Sequence, residues 1–169
     1  VNTIHSYTND QKLLDTAHVD LFRARSATES LIPTKTGAAS AVGEVIPELQ
    51  GKMDGLAIRV PTPNVSLLDF TFNTSKEFTI DELNQIIEQS SKQKMKGILD
   101  VNSVPLISVD FKGNPHSCVY DKQHTQKIGR STKILAWYDN EWGFSNRMKD
   151  LATYIPVSYT HLRAHETLA

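Results

Sequence analysis

Segments with the pattern of β-strands follow one another along this 169-residue chain, and few helical segments separate them. Two of them, Leu56 to Val60 and Val65 to Asn73, are joined only by the turn Pro61-Thr62-Pro63-Asn64. Because successive strands of a regular βαβ fold need a helical crossover between them, this order excludes such a fold. It predicts the α+β class: a mixed, largely antiparallel sheet with helices packed on one face. No G-x-G-x-x-G motif follows a strand, so we expect no Rossmann domain in this chain.

Local patterns place the remaining elements. Alternation predicts further strands at Val1 to Thr8, Leu106 to Val109, Cys118 to Tyr120 and Lys133 to Tyr138. The polar stretch from Asn9 to Lys35 lacks a clean period, and we expect a long, ordered loop there.

Three helices are expected. Small residues predict one at Ala38 to Val45, and the capping box Thr79-Ile80-Asp81-Glu82 predicts a second that stops near Gly97. A third should begin near Asp139-Asn140 and end at Pro156. Its apolar stripe comprises Phe144, Met148, Leu151 and Ile155.

The bulk composition excludes several classes of protein. A net charge of -1 gives no basic footprint for nucleic acid or anionic lipid. No apolar run approaches the roughly 20 residues of a membrane-spanning helix. The single cysteine, Cys118, excludes an internal disulfide and a multi-cysteine zinc site, and it favours a reducing, cytoplasmic compartment.

The two ends of the sequence suggest a fragment. Val1, not Met, is the first residue and already lies in a strand pattern, so we expect one domain at residues 1–155 that is incomplete at its amino end. Residues 156–169 have no apolar stripe and are expected to be an unrelated tail, disordered or artefactual. His161 and His165 in this tail have a spacing that could ligate a metal in a helix, but we expect no metal site.

Two side chains could carry acid–base or nucleophilic chemistry. His5 lies at the end of a strand, where an imidazole can act as a general base near neutral pH. An ordinary hydrogen-bonded surface histidine is the alternative. Cys118 and His116 would share one strand face, but a nucleophile needs a lowered pKa, and a plain buried thiol is the alternative.

Three further positions could bind a ligand. Thr36 and Gly37 open a helix, where free N–H groups and a hydroxyl can bind an anion or simply cap the helix. Arg59 ends a strand beside a rigid turn and could hold a phosphate or a carboxylate, or be a surface charge. Asn140 could cap the last helix or bind a ligand amide.

Four ordered stretches together resemble the glyceraldehyde-3-phosphate dehydrogenase family, over about Val1 to Ile155. They are His5-Ser6-Tyr7-Thr8-Asn9-Asp10-Gln11, Ile32-Pro33-Thr34-Lys35-Thr36-Gly37-Ala38-Ala39, Arg59-Val60-Pro61-Thr62-Pro63-Asn64-Val65-Ser66 and Trp137-Tyr138-Asp139-Asn140-Glu141. The resemblance implies that residues 1–155 are the catalytic, substrate-binding domain of such an enzyme.

The resemblance also implies a role for each matched residue. His5 matches the histidine that activates the catalytic thiol and moves protons during hydride transfer. Thr8 and Arg59 match the pair that binds the phosphate of the sugar, and Arg25 matches a supporting arginine of the long loop. The inorganic-phosphate subsite is matched by Thr36 and Gly37, and the asparagine that bonds the nicotinamide carboxamide is matched by Asn140.

The family reaction oxidises glyceraldehyde 3-phosphate to 1,3-bisphosphoglycerate with NAD or NADP and inorganic phosphate, in glycolysis or gluconeogenesis. The family's cysteine precedes His5 and does not align with Cys118, so we expect this chain to be inactive alone. The resemblance implies a cytoplasmic homotetramer that binds neither nucleic acid nor membrane. The sequence Asp15-Thr16-Ala17 is nearer the dual-specificity or NADP-using members.

Two alternatives stay open. Erythrose-4-phosphate dehydrogenase has late motifs that resemble Phe111 to Met148, although an intact phosphate subsite at Thr36 suits phosphorolysis better than hydrolysis. The other alternative is a non-catalytic fragment that acts as a binding or assembly module.

Overall fold

A computed structural model describes the backbone of residues 1–166 and the side chains of residues 1–39 and 41–155. In chain order its elements are β1 (Asn2–Ser6), β2 (Ile32–Lys35), α1 (Ala38–Val45), a 3₁₀ helix (Pro47–Leu49), β3 (Leu56–Val60), β4 (Ser66–Asn73), α2 (Ile80–Lys92), β5 (Leu99–Asn102), a second 3₁₀ helix (Ser108–Phe111), β6 (Cys118–Ile128), β7 (Ser131–Tyr138) and α3 (Trp142–Glu166).

The strands of this described region form one seven-stranded sheet in the order β2-β3-β1-β4-β7-β6-β5. The pairs β1–β3 and β5–β6 are parallel, and the remaining neighbours are antiparallel. The predicted α+β class with a mixed, largely antiparallel sheet is therefore confirmed, and residues 1–166 contain no Rossmann-type domain. Strand β1 lies between β3 and β4, so its residues contact two segments that are distant in sequence.

The first two helices form where the sequence predicts them. Helix α1 spans Ala38–Val45, as expected. At the start of α2 the capping box is present: the Glu82 N–H donates to Thr79 Oγ1 at 3.2 Å, and the Thr79 N–H donates to the Glu82 carboxylate at 2.7 Å. Helix α2 packs beside β5 and β6, where Tyr120 donates to Asn84 Oδ1 at 2.7 Å.

Two short strands differ from the predictions. Ile32–Lys35, expected within a loop, forms β2 because buried Ile32 and Thr34 alternate with exposed Pro33 and Lys35. A proline is tolerated there because β2 lies at the edge of the sheet. The predicted strand at Leu106 to Val109 is wrong: Ser108–Phe111 forms a 3₁₀ helix, and Leu99–Asn102 supplies the edge strand β5 instead.

Helix α3 begins near the predicted position but does not end at Pro156, and its backbone continues to Glu166. A proline removes one backbone donor, so the helical hydrogen bonds can resume one turn later. The predicted apolar stripe of α3 is exposed rather than buried. The side chains of His161 and His165 lie outside the described residues.

The core lies under β4, β6 and β7, close to the end of the sheet that leads into α3. Buried Val65, Phe111 and Val119 pack with Leu106 and Trp137, and the rings of Phe111 and Trp137 stack at 5.3 Å. No helix in residues 1–166 has both the length and the apolar character needed to cross a membrane.

Candidate functional site

Three of the predicted site residues meet where β1 and β3 run side by side. The parallel register places His5 opposite Arg59. The Arg59 guanidinium reaches past the end of β1, where Nη1 donates to the Ser6 carbonyl oxygen at 3.0 Å and to Thr8 Oγ1 at 3.4 Å. Arg59 Nε is buried without a hydrogen-bond partner among the described residues. The cluster of His5, Thr8 and Arg59 therefore presents an imidazole, a hydroxyl and a guanidinium on one surface.

The hydrogen bonding of His5 sets its chemistry. Its Nδ1 lies 2.6 Å from the Ser6 carbonyl oxygen, and because a carbonyl only accepts, Nδ1 carries the proton. Nε2 then keeps its lone pair. Burial lowers the pKa of His5 below its ordinary 6.5; the Ser6 carbonyl opposes this effect, and the charge of Arg59 adds to it. His5 is consequently neutral at pH 7 and can accept a proton at Nε2.

A second arginine, Arg23, lies near this cluster, although no motif in the sequence marks it as a site residue. Arg23 donates through Nε and Nη2 to Thr34 Oγ1 at 2.9 and 2.8 Å, and it also pairs with Asp10. Burial lowers the pKa of the Arg59 guanidinium, and the neighbouring positive charge of Arg23 lowers it further. Two guanidinium groups at one place favour an anionic ligand.

Arg25, the arginine predicted to support the phosphate sites, lies elsewhere. Its Nε donates to Asp15 at 3.1 Å, and 70% of its side chain is exposed. Arg23 and Arg25 belong to the same charged run, two residues apart, so the sequence offers only a weak signal for choosing between them. Arg23 and Arg25 differ in their contacts because the alternation of β2 places Thr34 on the side of Arg23, whereas Arg25 contacts Asp15.

Thr36 and Gly37 form a second cluster rather than part of the first. Thr36 follows the end of β2 and precedes α1, and its Oγ1 accepts a hydrogen bond from the Ala38 N–H at 3.2 Å. The register pairs Lys35 with Leu56 and Ile32 with Arg59. Thr36 is therefore about four strand residues, or about 13 Å, from Arg59 along the sheet. The two candidate anion sites therefore lie at different positions along β3.

Asn140 lies beside the first cluster, and its amide is held by two buried serines. The hydroxyls of Ser6 and Ser66 donate to Asn140 Oδ1 at 2.9 and 3.1 Å. The Ser6 N–H donates to the Ser66 hydroxyl oxygen at 3.1 Å. Asn140 Nδ2 has only a 3.3 Å contact with Glu141. The donor side of this amide is thus available to a ligand.

Asp139, not Asn140, caps helix α3. Its Oδ1 accepts from the N–H groups of Glu141 and Trp142 at 3.0 and 2.8 Å. Its Oδ2 accepts from the Asn64 amide at 3.0 Å and from the Gly113 N–H at 2.7 Å. Burial of Asp139 opposes ionisation, but these four hydrogen bonds outweigh it and lower the pKa of the carboxyl. Through these bonds the Asp139 carboxylate joins three segments beside Asn140: the turn at Asn64, the loop at Gly113 and the start of α3.

The turn that carries Asn64 is strained. Val65 is buried and has a φ of 69°, a left-handed conformation that costs a β-branched residue about 1–3 kcal/mol. Asn64 holds this turn on both sides, because its Oδ1 accepts from the Val65 N–H at 2.8 Å while its Nδ2 reaches Asp139. The strain is located next to Ser66, one of the two serines that contact Asn140.

Cys118 lies at the start of β6, away from the contacts of His5. Burial raises the pKa of its thiol to about 11. His116 precedes β6 rather than sharing a strand face with Cys118, and it contacts Asn114 at 2.9 Å and Asp100 at 3.9 Å. Cys118 therefore has the properties of the plain buried thiol. Among the described side chains, no group of three or more metal-ligating residues is found.

Comparison with known proteins gives a consistent family. A family model described as the C-terminal domain of glyceraldehyde 3-phosphate dehydrogenase matches residues 1–140. The chromosomal glyceraldehyde-3-phosphate dehydrogenase of Cupriavidus necator is 55% identical over 163 residues, which cover 96% of this chain and 47% of that protein.

Relatives from other bacteria give similar values. The glyceraldehyde-3-phosphate dehydrogenase of Pseudomonas aeruginosa is 55% identical over 152 residues, covering 90% of this chain and 45% of that protein. Glyceraldehyde-3-phosphate dehydrogenase 2 of Staphylococcus aureus is 52% identical over 161 residues, covering 95% of this chain and 46% of that protein. The chain thus spans about half the length of the curated relatives it matches. With most of its length matched at this identity, the chain belongs to the glyceraldehyde-3-phosphate dehydrogenase family and carries the carboxy-terminal domain of that family.

Proposed function

We propose that this chain supplies the substrate-binding and proton-transfer groups of an enzyme that oxidises glyceraldehyde 3-phosphate to 1,3-bisphosphoglycerate with NAD or NADP and inorganic phosphate. The observation that supports this most is the cluster of His5, Thr8 and Arg59. It combines a neutral imidazole with a free Nε2 and a guanidinium that has a buried, unpaired N–H. A base beside an anion site suits chemistry on a phosphorylated aldehyde.

The anion-binding groups divide into two subsites. Thr8 and Arg59 bind the phosphate of the sugar, since Arg59 Nη1 already contacts the Thr8 hydroxyl. Arg23 lies beside that subsite, where Asp10 and Asp20 offset part of its charge, and the contacts favour Arg23 over Arg25 for the supporting role. Thr36 and Gly37, at the start of α1, form the second subsite and bind inorganic phosphate at the positive end of the helix.

His5 acts as the base. Its Nε2 accepts the proton of a thiol that attacks the aldehyde and returns it to the alkoxide oxygen, which becomes a hydroxyl. It accepts the proton of that hydroxyl as hydride leaves the same carbon. Cys118 lies at the start of β6, away from His5, and burial raises the pKa of its thiol, so we do not assign it as that nucleophile. The reaction therefore needs a thiol from outside this chain, and the chain alone is inactive.

Asn140 fits the nicotinamide end of the cofactor. Its Nδ2 is a donor that no strong internal hydrogen bond occupies, and a carboxamide oxygen is an acceptor. When bound, NAD or NADP supplies the hydride acceptor. The choice between the two is not decided by Asn140, because the nicotinamide is common to both. Assembly as a homotetramer in the cytoplasm completes this proposal.

The proposal is tested in a chimaera in which this chain replaces the aligned segment of the Cupriavidus necator relative. We expect turnover of glyceraldehyde 3-phosphate that requires a nicotinamide cofactor and inorganic phosphate, measured as reduced cofactor at 340 nm. The 169-residue chain alone is the control and should give none. Faster turnover of erythrose 4-phosphate without phosphate would favour the alternative dehydrogenase. A folded chimaera that oxidises neither aldehyde would favour a non-catalytic module.

Replacing Arg59 with alanine in the chimaera should mainly weaken sugar-phosphate binding. Loss of a charge-assisted contact costs about 2–3 kcal/mol, which corresponds to a rise in KM of roughly 30- to 150-fold. Steady-state kinetics would measure this, with the Arg25→Ala variant as the matched control because Arg25 is exposed and paired with Asp15. An unchanged KM in Arg59→Ala, or an equal rise in Arg25→Ala, would contradict this assignment.

A further inference from the structure

The arrangement of Ser6, Ser66 and Asn140 carries more information than the position of Asn140 alone. Ser6 ends β1 and Ser66 begins β4, two neighbouring strands of the sheet. Their exposed fractions are 0% and 1%. Both hydroxyls donate to the same atom, Asn140 Oδ1, from two different strands. A buried polar network whose members are all satisfied holds its side chains in one arrangement.

The geometry fixes which end of the amide faces outward. An amide oxygen has two lone pairs, and the two serine hydroxyls use both. If the amide were turned by 180°, its NH₂ group would face these hydroxyls, and their protons would lose their acceptor. The Ser66 oxygen already accepts from the Ser6 N–H, so only one of its lone pairs is left for a second donor. A flipped Asn140 would remove the acceptor that both hydroxyl protons share, and each proton would need another partner in a buried place, which is unfavourable.

We propose that Ser6 and Ser66 are positioning residues that fix the Asn140 amide as a hydrogen-bond donor, so that the site recognises the carbonyl oxygen of the nicotinamide carboxamide. This inference rests on the proposed function of Asn140. Ser6 also joins this orientation to the base, because its carbonyl oxygen accepts from His5 Nδ1 and Arg59 Nη1. The strained turn at Val65 holds Ser66 in place, since Asn64 ties that turn to Asp139.

The donor assignment predicts which cofactor analogues the site accepts. In 3-acetylpyridine adenine dinucleotide a methyl group replaces the amino group of the carboxamide, and the carbonyl oxygen remains. A donor at Asn140 still binds that oxygen, so KM for this analogue should stay within about threefold of KM for NAD. Thionicotinamide adenine dinucleotide has a sulfur, a weaker acceptor, in place of the oxygen. Its KM should rise by about tenfold.

The first test uses the 169-residue chain without any cofactor. In ¹H–¹⁵N spectra the Asn140 side-chain NH₂ should give one ordered pair of signals, identified by its loss in Asn140→Ala. The Ser6→Ala/Ser66→Ala double variant should make this pair mobile on the nanosecond timescale. The matched control is Thr132→Val, because Thr132 is fully buried on β7 and its hydroxyl has no partner among the described residues. Order retained at Asn140 in the folded double variant would overturn the proposal.

The second test uses the chimaera and does not require the double variant to fold as a free chain. Ser66→Ala should raise KM for NAD by about tenfold and leave KM for glyceraldehyde 3-phosphate within about twofold. Ser66→Thr, which keeps the hydroxyl, should restore most of the loss. A rise in KM in Asn140→Ala but not in Ser66→Ala would reject the positioning role. If no chimaera turns over, the proposed function fails, while the spectra of the free chain still decide the orientation of Asn140.

Discussion

Replacing His5 with asparagine in the chimaera should lower kcat by roughly 10²- to 10⁴-fold, the usual contribution of a positioned general base. Asparagine keeps a side-chain donor that can reach the Ser6 carbonyl, but it has no titratable nitrogen in place of Nε2. The loss should therefore appear in kcat, with KM for the sugar phosphate nearly unchanged. Single-turnover measurements of cofactor reduction would separate the chemical step from product release.

The pH profile gives a second readout of the same substitution. Burial lowers the pKa of His5 below 6.5, so the active, neutral form predominates above that pKa and is lost as the pH falls through it. Activity of the unsubstituted chimaera should decline below this point, and the residual activity of His5→Asn should lack that decline. His116→Asn is the matched control, because His116 contacts Asn114 and Asp100 instead. A near-normal kcat in His5→Asn would remove His5 from the mechanism.

The elements that the sequence predicts best are those with a local cause. The capping box at Thr79 satisfies the first N–H groups of α2 by itself, and Pro61 and Pro63 separate β3 from β4. Strands β2 and β5 have only four residues each and lie at the edges of the sheet. In so short a segment an alternating pattern covers only two positions on each face, too few to be recognised in the sequence, and pairing with a neighbouring strand decides the conformation.

In the candidate site, too, some features have a local cause in the sequence and others depend on contacts between distant segments. His5, Thr8 and Arg59 are found from the sequence because each occurs in a recognisable stretch. Their common location depends on the parallel pairing of β1 with β3, which joins residues more than 50 positions apart and has no local signal. Ser6 and Ser66 show the limit of pattern reasoning. Serine is usually an exposed residue, so its sequence pattern gives no indication that it is buried and holds another side chain.

Asp139 is the position where a substitution should cost the fold most. Replacing it with alanine would leave four donors without their acceptor: the Gly113, Glu141 and Trp142 N–H groups and the Asn64 amide. Unsatisfied buried donors cost about 1–3 kcal/mol each, and with relaxation of the exposed ones we expect a total loss of about 3–5 kcal/mol. Urea unfolding of the 169-residue chain at pH 7, followed by tryptophan fluorescence, would measure it.

Two further variants, each of which removes one negative charge, separate the hydrogen bonds of Asp139 from a general effect of charge on stability. Asp150→Ala removes an exposed carboxylate that pairs with Arg147 on α3, and it should cost less than about 1 kcal/mol. Asp139→Asn keeps one acceptor oxygen and should be intermediate. A loss below 1 kcal/mol in Asp139→Ala would show that the three segments are held by other contacts.

Acid sensitivity should follow from the same hydrogen bonds. The pKa of Asp139 is lower in the folded chain than its ordinary 3.8, so its contribution is complete above that value and is lost as the pH falls through the folded pKa. Asp139→Asn should therefore lose less stability than the unsubstituted chain as the pH falls below 3.8. Because Asp139 also anchors the turn before Ser66, its protonation should loosen Asn140 before the sheet unfolds, and the Asn140 side-chain signals should broaden first.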